Sequence, residues 1–166
     1  MQINLATLKD VSLVMALIKA CIKDMETQGI YQWGEYYPTI DIIEADVKDQ
    51  SLYILKGNDD YYGVIVLNEE QAPEYRELAW ENQQAKVLVI HRLAVNPKWQ
   101  KQGIGRQLMD FAENYAIING YTTIRLDAYS GNPRALHFYE CRGYQKVGQL
   151  FFPGRELPFY GYEKIL

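Results

Sequence analysis

Two spacings of apolar residues alternate along this chain, and together they predict a mixed α/β domain. The stretch Gln2–Leu5 alternates polar and apolar residues, which indicates a short strand. Between Asp10 and Gly29, apolar residues recur at spacings of three and four, which predicts an amphipathic helix that the glycine stops. A second, shorter helix is predicted to begin at Thr39 or Asp41 and to end at Asp49. The chain thus opens with one strand and two helices.

The middle of the chain predicts three strands. Leu52–Lys56 and Tyr61–Leu67 form a hairpin around the turn Gly57–Asp60. Residues 68–84 are polar and contain five glutamates, so we expect a solvated connection or an irregular helix there. Lys86–Val95 is apolar on both faces where it begins, as a central strand should be. This strand therefore belongs in the middle of the sheet.

The last third predicts two helices and three strands. After Pro97, a helix with an apolar stripe runs to Gly120, and a strand follows over Thr123–Ala128. Asn132-Pro133 combines an N-cap with a proline at the first helical position, so a further helix begins there. Two strands, Tyr144–Phe152 and Phe159–Ile165, end the chain. The order is β-α-α-β-β-β-α-β-α-β-β, with six or seven strands in one twisted mixed sheet and about four helices.

Composition narrows the class of protein. The 166 residues are 48% hydrophobic and 23% charged, which is typical of one globular domain over residues 1–166. The net charge of -4 argues against a nucleic-acid partner. No apolar run approaches the roughly 20 residues that span a membrane, and no signal segment begins the chain. We therefore expect a cytoplasmic protein that contacts no membrane.

A glycine-rich turn before the third helix is the first feature with a chemical meaning. Gly103 and Gly105 let the backbone approach a ligand, and the free N–H groups of a helix start favour an anion. Lys101 and Arg106 would add positive charge. A tight strand–helix turn is the alternative for such a short motif. Neither a P-loop nor a dinucleotide motif is present, because Leu108 stands where the third glycine of the latter would be.

Two motifs give the chain a more specific resemblance. Gln100-x-x-Gly103-x-Gly105 follows a strand that ends Arg-Leu-Ala-Val, and Asn132-x-x-Ala-x-x-x-Tyr139-x-x-x-Gly143-Tyr144 follows it in the order expected. Together they resemble the signature of the GNAT superfamily of acyl-CoA-dependent N-acyltransferases. The resemblance covers about residues 92–147 and implies an enzyme that transfers an acetyl group from acetyl-CoA to an amine, without a metal.

The resemblance also implies where acetyl-CoA binds. The strands Lys86–Val95 and Thr123–Ala128 would part, and the pantetheine arm would fill the gap. Asn132 is an N-cap at the least and is also placed near the donor. The remaining donor contacts would be backbone groups of the strand and the turn: Leu93, Ala94, Val95, Gln100, Lys101, Gln102, Gly103, Ile104, Gly105 and Arg106.

Two residues are candidates for catalysis. Tyr139 matches the tyrosine that protonates the departing thiolate in many relatives, and a phenol with a pKa near 10 suits that role. Its alternative role is that of a core aromatic residue. His91 lies just before the Arg-Leu-Ala-Val segment and could take a proton from the ammonium substrate. A lone histidine in a strand is otherwise a hydrogen-bonded structural residue.

The acceptor is predicted to be a small cationic amine. The connection between the first two helices contains an aromatic and acidic group, which would attract a cation or would simply pin the loop to the core: Tyr31, Trp33, Glu35 and Tyr36. Alternative acceptors are a peptide N-terminus or a protein lysine, and the alternative class is a non-catalytic acyl-CoA-binding module.

Two further features complete the sequence predictions. An acyl-enzyme on either cysteine, Cys21 or Cys141, is disfavoured because neither has a clear base partner, and His137 carries no site signal. The aromatic segments Phe151–Pro153 and Phe159–Tyr162 fit either a homodimer contact or closure of the active site.

Overall fold

The elements of the computed structural model, which describes residues 1–57 and 60–166, follow the predicted order. The strands are β1 (Gln2–Leu5), β2 (Leu52–Lys56), β3 (Tyr61–Asn68), β4 (Val87–Val95), β5 (Thr123–Tyr129), β6 (Gln145–Leu150) and β7 (Phe159–Ile165). The helices are α1 (Val11–Thr27), α2 (Ile40–Lys48), α3 (Ile104–Ile118) and α4 (Pro133–Glu140). The predicted turn Gly57–Asp60 includes Asn58 and Asp59, which lie outside the described residues.

The strands form one mixed sheet in the order β1-β2-β3-β4-β5-β7-β6. β4 and β5 are parallel, with a register that runs from Val87 opposite Thr123 to Ile90 opposite Leu126. A parallel pair needs a crossover connection, which α3 supplies. β5 pairs with β7, and β7 with β6, in antiparallel fashion. The predicted fold class, a mixed α/β sheet of six or seven strands with about four helices, is confirmed.

The chain forms two compact units. The first contains residues 1–67 and 91–112, and the second contains residues 68–90 and 113–166. β4 and α3 each contribute residues to both units. A single domain over the whole chain stays a prediction. Within residues 1–57 and 60–166, no helix has the length and apolar character needed to cross a membrane.

The core of the first unit forms where the apolar stripes of α1 and α2 meet β2 and β3. Val14 and Ile18 of α1 are fully buried, as is Ile43 of α2. They pack with Leu52 and Ile54 of β2, whose alternate side chains point to one face of the sheet. The three-and-four spacing seen in the sequence thus corresponds to a buried helix face.

The core of the second unit corrects one expectation. The segment 68–84 was expected to be a solvated connection or an irregular helix, and a short 3-10 helix does form over Pro73–Glu77. However, Tyr75 and Trp80 are only 2% and 7% exposed, and both pack with Val87 and Val89 of β4. Glutamates dominate the composition of this segment, yet its aromatic residues cover the sheet. Four of its five glutamates are exposed, as are Arg76 and three glutamines, Gln71, Gln83 and Gln84.

Candidate functional site

The turn before α3, in the first unit, is open on the side where a ligand would approach. Gly103 has a φ of +80°, and a Cβ at this position would meet nothing within 4 Å. Lys101 also has left-handed backbone, with a φ of 62°. The first helical hydrogen bond joins the Gln107 N–H to the Gly103 carbonyl at 3.0 Å. The N–H groups of the first turn therefore have no intrahelical acceptors, and an anion fits against them.

The predicted turn residues divide by exposure. Ile104 is buried and anchors α3, so only its backbone faces a ligand. Lys101, Gln102 and Arg106 are exposed, as an approaching phosphate requires. Gln100 is tied down instead, because its side-chain amide donates to the Val95 carbonyl at 3.4 Å. The first residue of the motif therefore fixes the turn to the end of β4.

At the end of β4, one backbone carbonyl already accepts hydrogen bonds from protein side chains, and another packs closely against β3. The Val95 carbonyl also accepts a hydrogen bond from the Cys21 thiol, with Sγ at 3.2 Å. Two protein donors thus occupy the Val95 carbonyl. Gly63 of β3 lies so close that a Cβ there would be 2.7 Å from the Ala94 oxygen. His91 is half-buried and follows directly on Ile90, where the register with β5 ends.

The loop between α1 and α2 presents two of its four predicted acceptor residues to solvent at its tip. Backbone hydrogen bonds join Gly34 and Tyr37 in both directions, at 2.9 and 3.3 Å, so Glu35 and Tyr36 form the tip of a tight turn. Tyr36 is 88% exposed, and Tyr31 and Glu35 are exposed as well. Trp33 packs against the core of the first unit. Trp33 thus anchors the loop, whereas the other three line its surface.

Beneath this loop lies a polar cluster that the sequence analysis missed. The Arg92 guanidinium forms a fork with Asp46 of α2, with Nε 2.7 Å from Oδ2 and Nη2 2.5 Å from Oδ1. Its Nη1 donates to the Tyr37 hydroxyl at 2.9 Å. One signal was available: Asp46 lies three residues after Ile43, on the apolar face of α2, where a carboxylate needs a partner. No sequence feature identifies that partner as Arg92.

In the second unit, α4 positions Asn132 and Tyr139. The Asn132 side chain accepts a hydrogen bond from the Ala135 N–H at 3.1 Å, which confirms the predicted N-cap. Tyr139 is buried among aromatic rings, with Tyr144 and Tyr162 at centroid distances of 6.0 and 6.2 Å. Burial, and then the charge of Asp127, raise the pKa of Tyr139 well above its ordinary value. The assumption of an unperturbed pKa near 10 is therefore wrong for this phenol.

The structure also corrects the view that neither cysteine has a base partner. The Cys141 Sγ lies 3.3 Å from Nε2 of His137, four residues earlier on α4. Both side chains are exposed. The sequence reason for disfavouring an acyl-enzyme at Cys141 thus fails, and this alternative needs an experiment of its own. No group of three or more potential metal ligands occurs within residues 1–57 and 60–166.

The predicted site residues are distributed over both units. The first unit contains His91, the end of β4, the turn before α3 and the loop around Tyr36. The second unit contains Asn132 and Tyr139. The first unit contains an open helix start whose first-turn N–H groups have no intrahelical acceptors, the closely packed end of β4, and an exposed aromatic and acidic loop.

Comparison with known proteins gives a consistent family. The family model described as "Acetyltransferase (GNAT) family" matches residues 18–144. An uncharacterized N-acetyltransferase of Bacillus subtilis, YesJ, is 23% identical over 145 residues, which are 86% of this chain and 81% of that protein. A GNAT-family acetyltransferase of Streptococcus agalactiae superposes with a TM-score of 0.81 at 20% identity, covering 99% of this chain and 95% of the other. One from Listeria monocytogenes gives 0.78 at 21% identity, over 99% and 94%.

Proposed function

Because this chain belongs to the acetyltransferase (GNAT) family, we propose that it transfers the acetyl group of acetyl-CoA to a primary amine of a small cationic metabolite. The chain is an acyltransferase, and acetyl-CoA is the donor that its family uses. What we propose is the acceptor class, direct attack in a ternary complex, and the roles of individual residues.

The open turn before α3 is the observation that supports donor binding most strongly. Gly103 provides the left-handed conformation and the free space that a pyrophosphate needs, and the first-turn N–H groups point to the same place. Exposed Lys101 and Arg106 add positive charge. Backbone groups of Leu93, Ala94 and Val95 are the proposed partners of the pantetheine amides, although the Val95 carbonyl already has two protein donors. Asn132 is proposed as a further donor contact.

The donor supplies an acyl thioester. The chain is proposed to remove a proton from the acceptor and to donate a hydrogen bond to the leaving sulfur. His91 takes a proton from the ammonium form of the acceptor, directly or through water, so that a neutral amine can attack. The C–N bond forms as the C–S bond breaks, and the electron pair of the C–S bond leaves on the sulfur of CoA. The nitrogen gives up its remaining extra proton to water, and the CoA thiolate takes a proton from water. Because its pKa is raised, Tyr139 holds its proton throughout the neutral range and stabilises the departing sulfur by donating a hydrogen bond to it.

The loop tip supports a cationic acceptor. Tyr31 and Tyr36 expose aromatic faces, and Glu35 adds a carboxylate between them in sequence. Aromatic faces and carboxylates both attract ammonium groups. The overall charge of -4 acts in the same direction at long range. A screen of polyamines, amino sugars, amino acid derivatives and peptide N-termini would distinguish the proposed class from the peptide alternative.

Donor binding is tested by thermal shift with a matched pair of glycine variants. A ligand at 100 times its dissociation constant stabilises by about 2.7 kcal/mol, which for this chain length is about 5–10 °C. We expect that rise with acetyl-CoA and CoA but not with NAD or ATP. Gly103→Ala and Gly120→Ala introduce equal strain, because both glycines have left-handed φ and open surroundings. Only Gly103→Ala should reduce the shift. Equal shifts in both variants would contradict the proposed cradle.

Chemistry is tested by release of free thiol in the presence of amines. Tyr139→Phe should lower turnover while acetyl-CoA binding persists, and His91→Gln should remove the acidic limb of the pH profile. Cys141→Ser should leave turnover unchanged, because direct attack needs no acyl-enzyme. Mass spectrometry of protein incubated with acetyl-CoA is the complementary measurement. A stable acetyl group on Cys141 together with loss of activity in Cys141→Ser would replace direct attack by a covalent route.

A further inference from the structure

The backbone of β4 has an irregularity at Arg92, inside the first unit. Among the described residues, Arg92 is the only non-glycine residue in a strand with left-handed backbone, at a φ of 47°. The other non-glycine residues of this kind, Gln50 and Lys101, lie in turns. Left-handed backbone is unfavourable for a residue with a Cβ and persists only where the surroundings enforce it. The register of β4 with β5 ends two residues before Arg92, at Ile90.

The side chain of Arg92 supplies that enforcement. All three guanidinium nitrogens donate hydrogen bonds, two to Asp46 and one to Tyr37. The side chains of Arg92 and Asp46 are only 10% and 9% exposed, so either charge would be costly if its partner were removed. Although burial alone would lower the pKa of Arg92, Tyr37 and Asp46 raise it above its ordinary value, so the guanidinium stays charged.

These contacts join three elements at the positions that matter for the reaction. Arg92 lies between His91 and Leu93, the proposed base and a proposed donor contact. Tyr37 closes the tight turn that presents Tyr36. Asp46 belongs to α2, which packs against α1 in the core of the unit. One planar guanidinium therefore links the strand, the loop and the helix, and a lysine could not reproduce its fork.

We propose that Arg92 is a positioning residue: through Asp46 and Tyr37 it fixes both the direction of the β4 backbone between His91 and Leu93 and the seat of the acceptor loop. This inference rests on the proposed function, because it takes β4 and the loop as the two sides at which the reactants bind. It adds to that function a residue that touches neither reactant. The Arg92 guanidinium instead positions the groups of β4 and of the acceptor loop that would contact the reactants.

The first test compares two buried arginines. Arg125 of the second unit is paired with Glu163 through Nη2 at 3.1 Å, and those side chains are 6% and 4% exposed. Its backbone is not left-handed. Arg92→Lys and Arg125→Lys therefore remove similar buried forks, and we expect similar losses of melting temperature. Only Arg92→Lys should lower kcat, by tenfold or more as an order of magnitude, because misplaced reacting groups cost that much. Equal kcat values in the two variants would overturn the proposal.

The second test uses a gentler change and does not depend on turnover. Tyr37→Phe removes one hydroxyl and leaves the ion pair, so the protein should remain folded. We expect faster amide hydrogen exchange in residues 31–37 and in His91–Val95 of this variant. Tyr121→Phe, which removes a hydroxyl bound to Glu69 at 2.8 Å in the second unit, should leave these segments unchanged. Unaltered exchange in Tyr37→Phe would refute the link between loop and strand.

Steady-state kinetics of Tyr37→Phe distinguish a failure of this inference from a failure of the proposed function. With an amine found in the screen, Tyr37→Phe should raise KM for the amine several-fold and KM for acetyl-CoA less, because the Asp46 ion pair still holds Arg92 of β4. If the wild-type protein shows no thermal shift with acetyl-CoA, the proposed function fails, whereas the exchange measurement still decides whether the link exists. If wild-type turnover is normal and Tyr37→Phe changes neither KM nor exchange, the positioning role fails alone.

Discussion

The strongest prediction about stability concerns Gly148 and Gly161, two glycines of the second unit that together form a notch in the sheet. Gly148 of β6 and Gly161 of β7 are paired across the ladder, and Leu78 of the covering segment, residues 68–86, inserts over both. A Cβ at Gly161 would lie 2.3 Å from Leu78 Cδ1 and 3.2 Å from Trp80 Cη2. Gly161→Ala therefore forces the leucine out of its seat, and overpacking of this kind costs about 2 kcal/mol.

A double-mutant cycle isolates that clash. Leu78→Ala removes a largely buried side chain and should also cost about 2 kcal/mol. If the two effects were independent, the double variant would lose about 4 kcal/mol. Because the alanine at 161 meets no leucine when Leu78 is absent, we expect the double variant to lose only about 2 kcal/mol.

Urea unfolding followed by tryptophan fluorescence measures this cycle, since Trp80 lies in the same cluster. For a chain of this length, each kcal/mol shifts the melting temperature by about 2–4 °C, so a thermal melt gives an independent value. Additive losses in the double variant would refute the notch, because they would mean that Leu78 and the new methyl group never compete for space. Gly154→Ala is the control: a Cβ there would meet nothing within 4 Å, so any loss comes from the left-handed φ of +73° and should add to the loss from Leu78→Ala.

Three further predictions follow from buried groups. Burial raises the pKa of Tyr144 and Tyr162 above the ordinary value, so above pH 10 the unfolded chain loses protons that the folded chain keeps. The free energy of unfolding should then fall by about 1.4 kcal/mol per pH unit for each such group. In alkaline melts, Tyr144→Phe should show a smaller fall of melting temperature with pH. An unchanged melting temperature of the wild-type protein from pH 9.5 to 11 would contradict this. Although burial alone would raise the pKa of Asp10, hydrogen bonds from Thr7 and the charge of Lys56 lower it. The free energy of unfolding should therefore fall as the pH drops below about 4. This fall should be smaller in Asp10→Asn. Gly63→Ala should reduce the acetyl-CoA shift, because its Cβ would lie 2.7 Å from the Ala94 carbonyl oxygen. Gly57→Ala, whose nearest contacts would be side-chain atoms of Tyr62, is the control.

The order and type of the elements could be predicted from the sequence because local patterns determine them. The period-two alternation of Gln2–Leu5 and the Asn132-Pro133 start of α4 depend on neighbours within a few residues, and both agree with the structure. The glycine turn before α3 is equally local. Its exposed N–H groups and left-handed Gly103 are as the motif predicts. The proposed donor side of the candidate site rests on these local features.

The polar clusters could not be predicted, because they depend on long-range contacts. In β5, Thr123, Arg125 and Asp127 alternate with apolar residues, a pattern that suggests a face in contact with solvent. Instead Thr123 and Arg125 are buried, because the covering segment lies on that face. Arg92 poses the same problem in β4. Alternation indicates a strand, but it does not tell whether other chain segments satisfy the polar face.

The burial of Arg125 and the close packing of the covering segment on the sheet depend on each other. Arg125 can be buried only because the segment brings the Gln71 side chain and the Asn82 carbonyl to its guanidinium, each at 2.8 Å, while Trp80 stacks on it at 4.3 Å. The segment can lie so close only because the two paired glycines leave room for Leu78. It follows that a residue added in the notch should weaken the hydrogen bonds of Arg125, although Gly161 does not touch it. Faster amide exchange around Asn82 in Gly161→Ala, but not in Gly154→Ala, is the result that this mutual dependence requires.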